Sequence, residues 1–283
     1  MNVKKITVIG SGTMGLGIAH VGAIGGYDVV INDISLEVLE KNFERIKKNM
    51  AKGVELGKLS QGKMDSAISK ISLSAELKSS VEDSDLVIEA IPERIDLKLQ
   101  LMENLDNFCK PDTVFATNTS GLSITEMAGA TRRPEKVIGM HFFNPVHKMK
   151  LVEIIRGLET SDETYQATEL VSVNMGKETV EVNESPGFVT SRINAMIGNE
   201  AFYMLQEGVA SARGIDKALK LGLNHPMGPF EMIDLVGLDT RLSILKYLQQ
   251  TLGEKYRPCP LIEKYVKAGR LGKKVGKGVY DYE

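Results

Sequence analysis

Cysteine is nearly absent. Only Cys109 and Cys259 occur in 283 residues, in neither a C-x-x-C pair nor a zinc-ligand spacing, which argues against a disulfide scaffold and a thiolate metal site and fits a reducing cytoplasm. Excess charge is lacking too: 35 basic against 37 acidic residues leave a net −2, so no overall positive field exists to hold nucleic acid or an anionic membrane. Any anionic ligand must be gripped by local groups. No stretch reaches the ~18 apolar residues of a membrane span, and the run after Lys4-Lys5 is too short for a signal-peptide core. Neither spanning nor secretion is expected. Internal repeats and low-complexity tracts are missing as well.

What is present is ordinary globular material, 42% hydrophobic and 25% charged, enough to bury a sizeable core. At about 100–200 residues per domain, the length favours two domains. Ile6 to Ile9, Val29 to Ile31 and Leu86 to Ile88 are short β-branched runs separated by helical patterns, an alternation that predicts a parallel sheet. Leu36, Leu39, Phe43, Ile46, Met50 and Val54 recur every three or four residues opposite Glu37, Lys41, Glu44 and Lys48, which predicts a long amphipathic helix. Thr113 to Thr117, Val137 to Met140 and Lys150 to Ile155 extend the series, and a sheet of seven or eight strands is expected to be complete by about Val182. At Asn183-Glu184-Ser185-Pro186-Gly187 strand signals stop and helical spacing takes over. The expectation is an α/β domain over residues 1–184 and an all-helical domain over 185–283. The stripes Ile193, Met196, Ile197, Ala201, Met204, Leu205 and Leu242, Leu245, Leu248 exceed what a hundred residues bury with ease. Self-association of the helical domain follows as an expectation.

Gly10-Ser11-Gly12-Thr13-Met14-Gly15 follows the first strand and opens a helix, the context in which G-x-G-x-x-G signals a Rossmann-type dinucleotide site rather than a chance glycine turn. Gly10 allows the turn, Gly12 lets a pyrophosphate approach bare backbone, and Gly15 lets the helix pack on the sheet with its amides facing the phosphates. Asp33 ends the second strand 18 residues beyond Gly15, where a carboxylate accepts from the adenine ribose hydroxyls and repels a 2′-phosphate. NAD is favoured over NADP. Capping of the following helix is the other reading of Asp33, although Ser35 could also serve.

His141 ends the apolar run Val137 to Met140, at the carboxyl end of a strand, where open α/β sheets place ligands. Glu153 is an ionisable residue in the apolar segment Leu151 to Ile155, and a buried carboxylate is costly unless paired. Strand, turn and returning strand could join the two. A carboxylate on one ring nitrogen fixes the tautomer and stabilises the imidazolium while the other nitrogen exchanges a proton. A satisfied core histidine beside a strand-edge charge is the plainer reading; His20, His147 and His225 read as structural. Asn118-Thr119-Ser120-Gly121 ends another strand on the same edge, so Ser120 either donates to a substrate or nicotinamide oxygen or caps the next helix.

Several segments in order resemble the L-3-hydroxyacyl-CoA dehydrogenase family, and within it the bacterial short-chain 3-hydroxybutyryl-CoA branch. They are VIGSGTMG from Val8, DLVIEAIPE from Asp85, ATNTSGLSITE from Ala116, VIGMHFFNP from Val137, MKLVEIIRG from Met149, NHPMGPFE from Asn224, VGLDT from Val236, KYRPCPL from Lys255 and GKKVGKGVYDY from Gly272. The resemblance implies reversible, NAD-linked oxidation of (3S)-3-hydroxyacyl-CoA, such as 3-hydroxybutyryl-CoA, to a 3-oxoacyl-CoA such as acetoacetyl-CoA. It implies His141 as acid/base oriented by Glu153, with Ser120 near substrate and cofactor. It places Glu93, Lys98, Asn144 and Lys274 at the cofactor, Asp33 at the ribose, and a homodimer contact in the helical domain. One position departs: Pro186-Gly187-Phe188-Val189-Thr190-Ser191-Arg192 carries Ser191 where the family usually has an asparagine donor, and the shorter serine supplies a single hydrogen bond. Lys48, Lys52 and Lys58 offer cationic points for CoA phosphates, or are simply a solvated face. Arg132-Arg133 is a weaker phosphate candidate. A dehydrogenase of a free β-hydroxyacid and a non-catalytic NAD-binding protein on the same scaffold are the rival readings.

Overall fold

The computed structural model describes residues 1–282. The chain divides into two compact units, Met1–Glu184 and Ser185–Glu283. The first unit runs β1 (Lys5–Ile9), α1 (Thr13–Ile24), β2 (Asp28–Asn32), α2 (Leu36–Glu55), α3 (Gln61–Ser69), β3 (Ile71–Ser74), α4 (Leu77–Val81), β4 (Leu86–Glu89), α5 (Ile95–Phe108), β5 (Val114–Thr117), α6 (Ile124–Gly129), β6 (Val137–Phe142), β7 (Leu151–Arg156), α7 (Asp162–Asn174) and β8 (Glu178–Asn183).

Its eight strands form one sheet in the order β3-β2-β1-β4-β5-β6-β7-β8. Every neighbouring pair is parallel except β6 and β7, which run antiparallel. Strands β4, β5 and β6 are buried along their whole length, which is why they read as unbroken apolar runs: helices cover both faces of a parallel sheet. Chain order reverses between β1 and β4, and such a switch point opens a crevice at the carboxyl edge. Helix α2 is the amphipathic helix expected, with Leu39, Ile46 and Met50 buried and Ser35 capping its start. The edge strand β3 escaped the sequence reading. Its four residues, Ile71-Ser72-Leu73-Ser74, are half-exposed and too few to show a period of two.

The second unit is helical, with α8 (Thr190–Gln206), α9 (Ala212–Gly222), α10 (Pro229–Val236), α11 (Leu238–Leu252) and α12 (Pro260–Lys267). Phe202, Phe230, Leu238, Leu245, Leu248 and Ile262 fill its core. The buried Asp234 holds the chain end, accepting from the Val279 and Tyr280 amides at 2.8 and 2.9 Å. The expected α8 stripe divides: Ala201 is buried, while Ile193 remains 58% exposed. Leu221, Leu223 and Val209 are exposed too. Among the described residues no helix is long and apolar enough to cross a membrane.

Candidate active site

The turn after β1 brings the backbone against β4. Gly10 has φ +97°, and a Cβ there would lie 2.7 Å from the Ala90 carbonyl oxygen; at Gly15 it would lie 1.8 Å from the Gly10 oxygen. Both positions therefore exclude a side chain. Gly12 is the opposite case, with nothing within 4 Å of its would-be Cβ. Helix α1 starts there with no side-chain cap and no acidic residue in its first turn, so its first amides are left for an anion. Thr13 is exposed and Met14 half-buried beside them. Bare backbone, open space and unpaired amides fit a dinucleotide pyrophosphate.

Asp33 does not cap α2; Ser35 does. The Asp33 carboxylate instead accepts from the Ser11 amide at 2.7 Å, the Ser11 hydroxyl at 2.6 Å and the Ile34 amide at 2.7 Å. Burial pushes its pKa up, but these hydrogen bonds from Ser11 and Ile34 outweigh it and hold the group below the usual value. An ionised acceptor thus stands next to the glycine turn, where an adenine ribose would lie.

Beyond the loop, Met14, Ala90, Glu93, Asn118, Ser120, His141, Phe143 and Asn144 line a cavity of about 350 Å³, large enough for a nicotinamide and a small reacting group. The Glu93 Oε1 accepts from the Thr119 hydroxyl at 2.6 Å, the Ser120 amide at 2.8 Å and the Ser120 hydroxyl at 3.2 Å. Helix α6 is capped by Ser123, which leaves Ser120 in the cavity wall. Asn118 accepts from the Phe142 amide at 2.9 Å through its side-chain oxygen and ties the ends of β5 and β6 together.

His141 and Glu153 face each other in register across the β6–β7 pair. The imidazole Nδ1 lies 2.8 Å from Glu153 Oε2. The two residues are 7% and 1% exposed, and Phe143 packs against the imidazole with ring centroids 4.4 Å apart. A carboxylate only accepts, so Nδ1 is the donor and the tautomer leaves basicity on Nε2.

The other expected positions have surroundings of their own. Lys98 lies behind the cavity wall, buried, with its ammonium 2.6 Å from Glu89 and 3.4 Å from Glu93. Sequence reasoning missed Glu89, since a carboxylate ending an apolar strand gives no sign of a lysine partner nine residues on. Lys274, in the second unit, donates to Asp239 at 2.7 Å, and Ser191 is half-buried in the first turn of α8. Arg132 and Arg133 are engaged with Asp106 at 2.6 and 2.8 Å. Lys52 and Lys58 line a separate cavity of about 700 Å³ with His20, His147, Lys148 and Lys177. The four added cationic or ionisable residues come from α1, the β6–β7 loop and the turn before β8, distances over which no periodicity signals them.

A glycine turn at the switch point, an acidic β2 end and an imidazole–carboxylate pair at one sheet edge define a dinucleotide-dependent acid–base catalyst. Residues 5–185 match the family model 3-hydroxyacyl-CoA dehydrogenase, NAD binding domain, and residues 187–282 match 3-hydroxyacyl-CoA dehydrogenase, C-terminal domain. The probable 3-hydroxybutyryl-CoA dehydrogenase of Bacillus subtilis is 50% identical, over 100% of this chain and 99% of its own length. The 3-hydroxybutyryl-CoA dehydrogenase of Bradyrhizobium diazoefficiens is 45% identical over 99% and 96%. The crystal structure of (S)-3-hydroxybutyryl-CoA dehydrogenase PaaH1 from Ralstonia eutropha superposes with a TM-score of 0.97 at 42% identity, covering both chains completely. The chain belongs to the 3-hydroxyacyl-CoA dehydrogenase family.

The basic cavity also makes the fold acid-sensitive. His20 stacks on His147, centroids 5.5 Å apart. Burial, then His147 and Lys177, pull its pKa from 6.5 down to about 4. The unfolded chain therefore binds more protons than the folded one between those values, and stability falls as pH drops through that window. Replacing His20 with Gln removes this contribution. Urea unfolding at pH 7.5 and 4.5 should show the wild type losing about 2–3 kcal/mol more than the variant; equal losses would contradict the buried neutral imidazole.

Proposed function

We propose that this protein is an NAD-dependent dehydrogenase that interconverts (3S)-3-hydroxyacyl-CoA and 3-oxoacyl-CoA, with 3-hydroxybutyryl-CoA and acetoacetyl-CoA as its substrates. The observation that carries the reading is the His141–Glu153 pair at a cavity on the nucleotide edge of the sheet. Bound NAD supplies what no side chain can, accepting hydrogen with its electron pair from C3. The chain does the rest. His141 Nε2 takes the 3-hydroxyl proton during oxidation, and the imidazolium returns it during reduction. Glu153 holds the ring and offsets the charge that forms on it. Ser120 presents its hydroxyl to the reacting oxygens, while Gly10, Gly12, Gly15 and Asp33 fix the dinucleotide and Glu93 and Asn144 border its nicotinamide end. Phe143 and the buried strands keep water from the imidazole.

Lys52 and Lys58, with Lys148 beside them, hold the phosphates of CoA. Three lysines, Lys52, Lys58 and Lys148, around one cavity suit a polyanionic tail better than the single carboxylate of a free hydroxyacid. Acetoacetyl-CoA should therefore be reduced and free acetoacetate left unused. The exposed apolar residues of the helical unit support a homodimer formed through that unit.

Two outcomes follow. His141→Gln should lower kcat by several orders of magnitude, and Glu153→Gln by roughly 10²–10⁴-fold, with the NADH dissociation constant of each nearly unchanged; retained turnover would remove the pair from catalysis. Light scattering at micromolar protein should give twice the 31.0 kDa chain mass; a monomer would end the dimer proposal.

A further inference from the structure

Glu89 ends β4 and is completely buried. Its Oε1 accepts from Lys98 Nζ at 2.6 Å and from the Thr117 hydroxyl. Its Oε2 accepts from the same ammonium at 2.9 Å and from the Ile91 amide at 3.2 Å. The donors come from the first turn of α5, the end of β5 and the loop after β4, and that loop, with the residues just after β5, lines the nicotinamide cavity. The ammonium it grips also lies 3.4 Å from Glu93 Oε2, and the other Glu93 oxygen carries Thr119 and both polar groups of Ser120. Two carboxylates thus share one ammonium, with one of them sealed in the core and the other in the cavity wall.

Packing alone does not call for this pair. Apolar residues of equal volume would hold α5 on the sheet at least as well, because an ion pair loses hydration that its mutual attraction only partly restores. What the pair does is fix a charge in space. Lys98 is held from below by an immobile carboxylate, so it can pull on Glu93 without drawing it off Ser120.

We propose that Glu89 is a positioning residue for the nicotinamide end of the cofactor, acting through Lys98 on Glu93 and Ser120. Without either charge of the Glu89–Lys98 pair, Glu93 loses its fixed anchor, its hold on Ser120 and Thr119 loosens, and the cavity wall loses its shape. The proposal rests on the reading that this cavity takes the nicotinamide ring.

ADP-ribose, which has every part of the cofactor except that ring, separates a local effect from a general one. In Glu89→Gln, fluorescence titration should show NADH binding weakened about tenfold, with ADP-ribose affinity by calorimetry unchanged. Lys98→Met should give the same selective loss, and the double variant no greater loss than either single one, since both cut one chain of contacts. The double variant also removes both charges together, so it reports even if Glu89→Gln leaves the buried ammonium too costly to fold. Parallel losses for NADH and ADP-ribose would make Glu89 structural only, and unchanged NADH affinity in the double variant would overturn the proposal. A wild type that bound ADP-ribose as tightly as NADH would instead refute the reading of the cavity.

Discussion

An imidazole and a carboxylate meeting inside a protein must be set to within a few tenths of an ångström, and here backbone pairing sets them. His141 and Glu153 stand opposite each other because β7 reverses against β6, the one antiparallel neighbour pair in the sheet among the described residues. In a directly opposed antiparallel pair the Cβ atoms lie about 4.5–5.5 Å apart on one face, a span that these two side chains bridge with a 2.8 Å contact. Parallel strands are joined by long crossovers and could not pair residues only twelve apart. A local reversal in a parallel fold thus brings the imidazole and the carboxylate together.

The remaining parts of the site use the carboxyl edge in different ways. Gly10 and Gly15 are places where side chains are forbidden, so the dinucleotide cradle is made of backbone. Asp33 is held by Ser11 rather than by a helix, which ties the ribose end of the site to the pyrophosphate turn. Behind Glu93 and Ser120 lie buried charges instead, the Glu89–Lys98 pair.

Much of this was legible in the residues. The hexapeptide at Gly10 has steric duties that the geometry displays, and the strand series with its change of texture near Ser185 follows from burial on both sheet faces. The His141–Glu153 contact could be read because an ionisable residue in an apolar strand demands a partner and a returning strand supplies one. Other parts left no local trace. Strand β3 is too short and too exposed at the sheet edge to show a pattern. Glu89 and Lys98 lie nine residues apart on different elements, and only the fold reveals that they are one unit. The same holds for the basic cavity, where His20, His147 and Lys177 join Lys52 and Lys58 from segments with no spacing in common. Arg132 and Arg133 looked available for phosphate because their partner, Asp106, is remote in sequence.

The central claim is that Glu153 fixes the tautomer of His141. Nitrogen-15 NMR of histidine-labelled protein, with His141→Gln to assign the signal, reads that state directly. The account predicts that the neutral ring carries its proton on Nδ1 and leaves Nε2 bare, with the preference lost in Glu153→Ala. A proton on Nε2 in the wild type would contradict it.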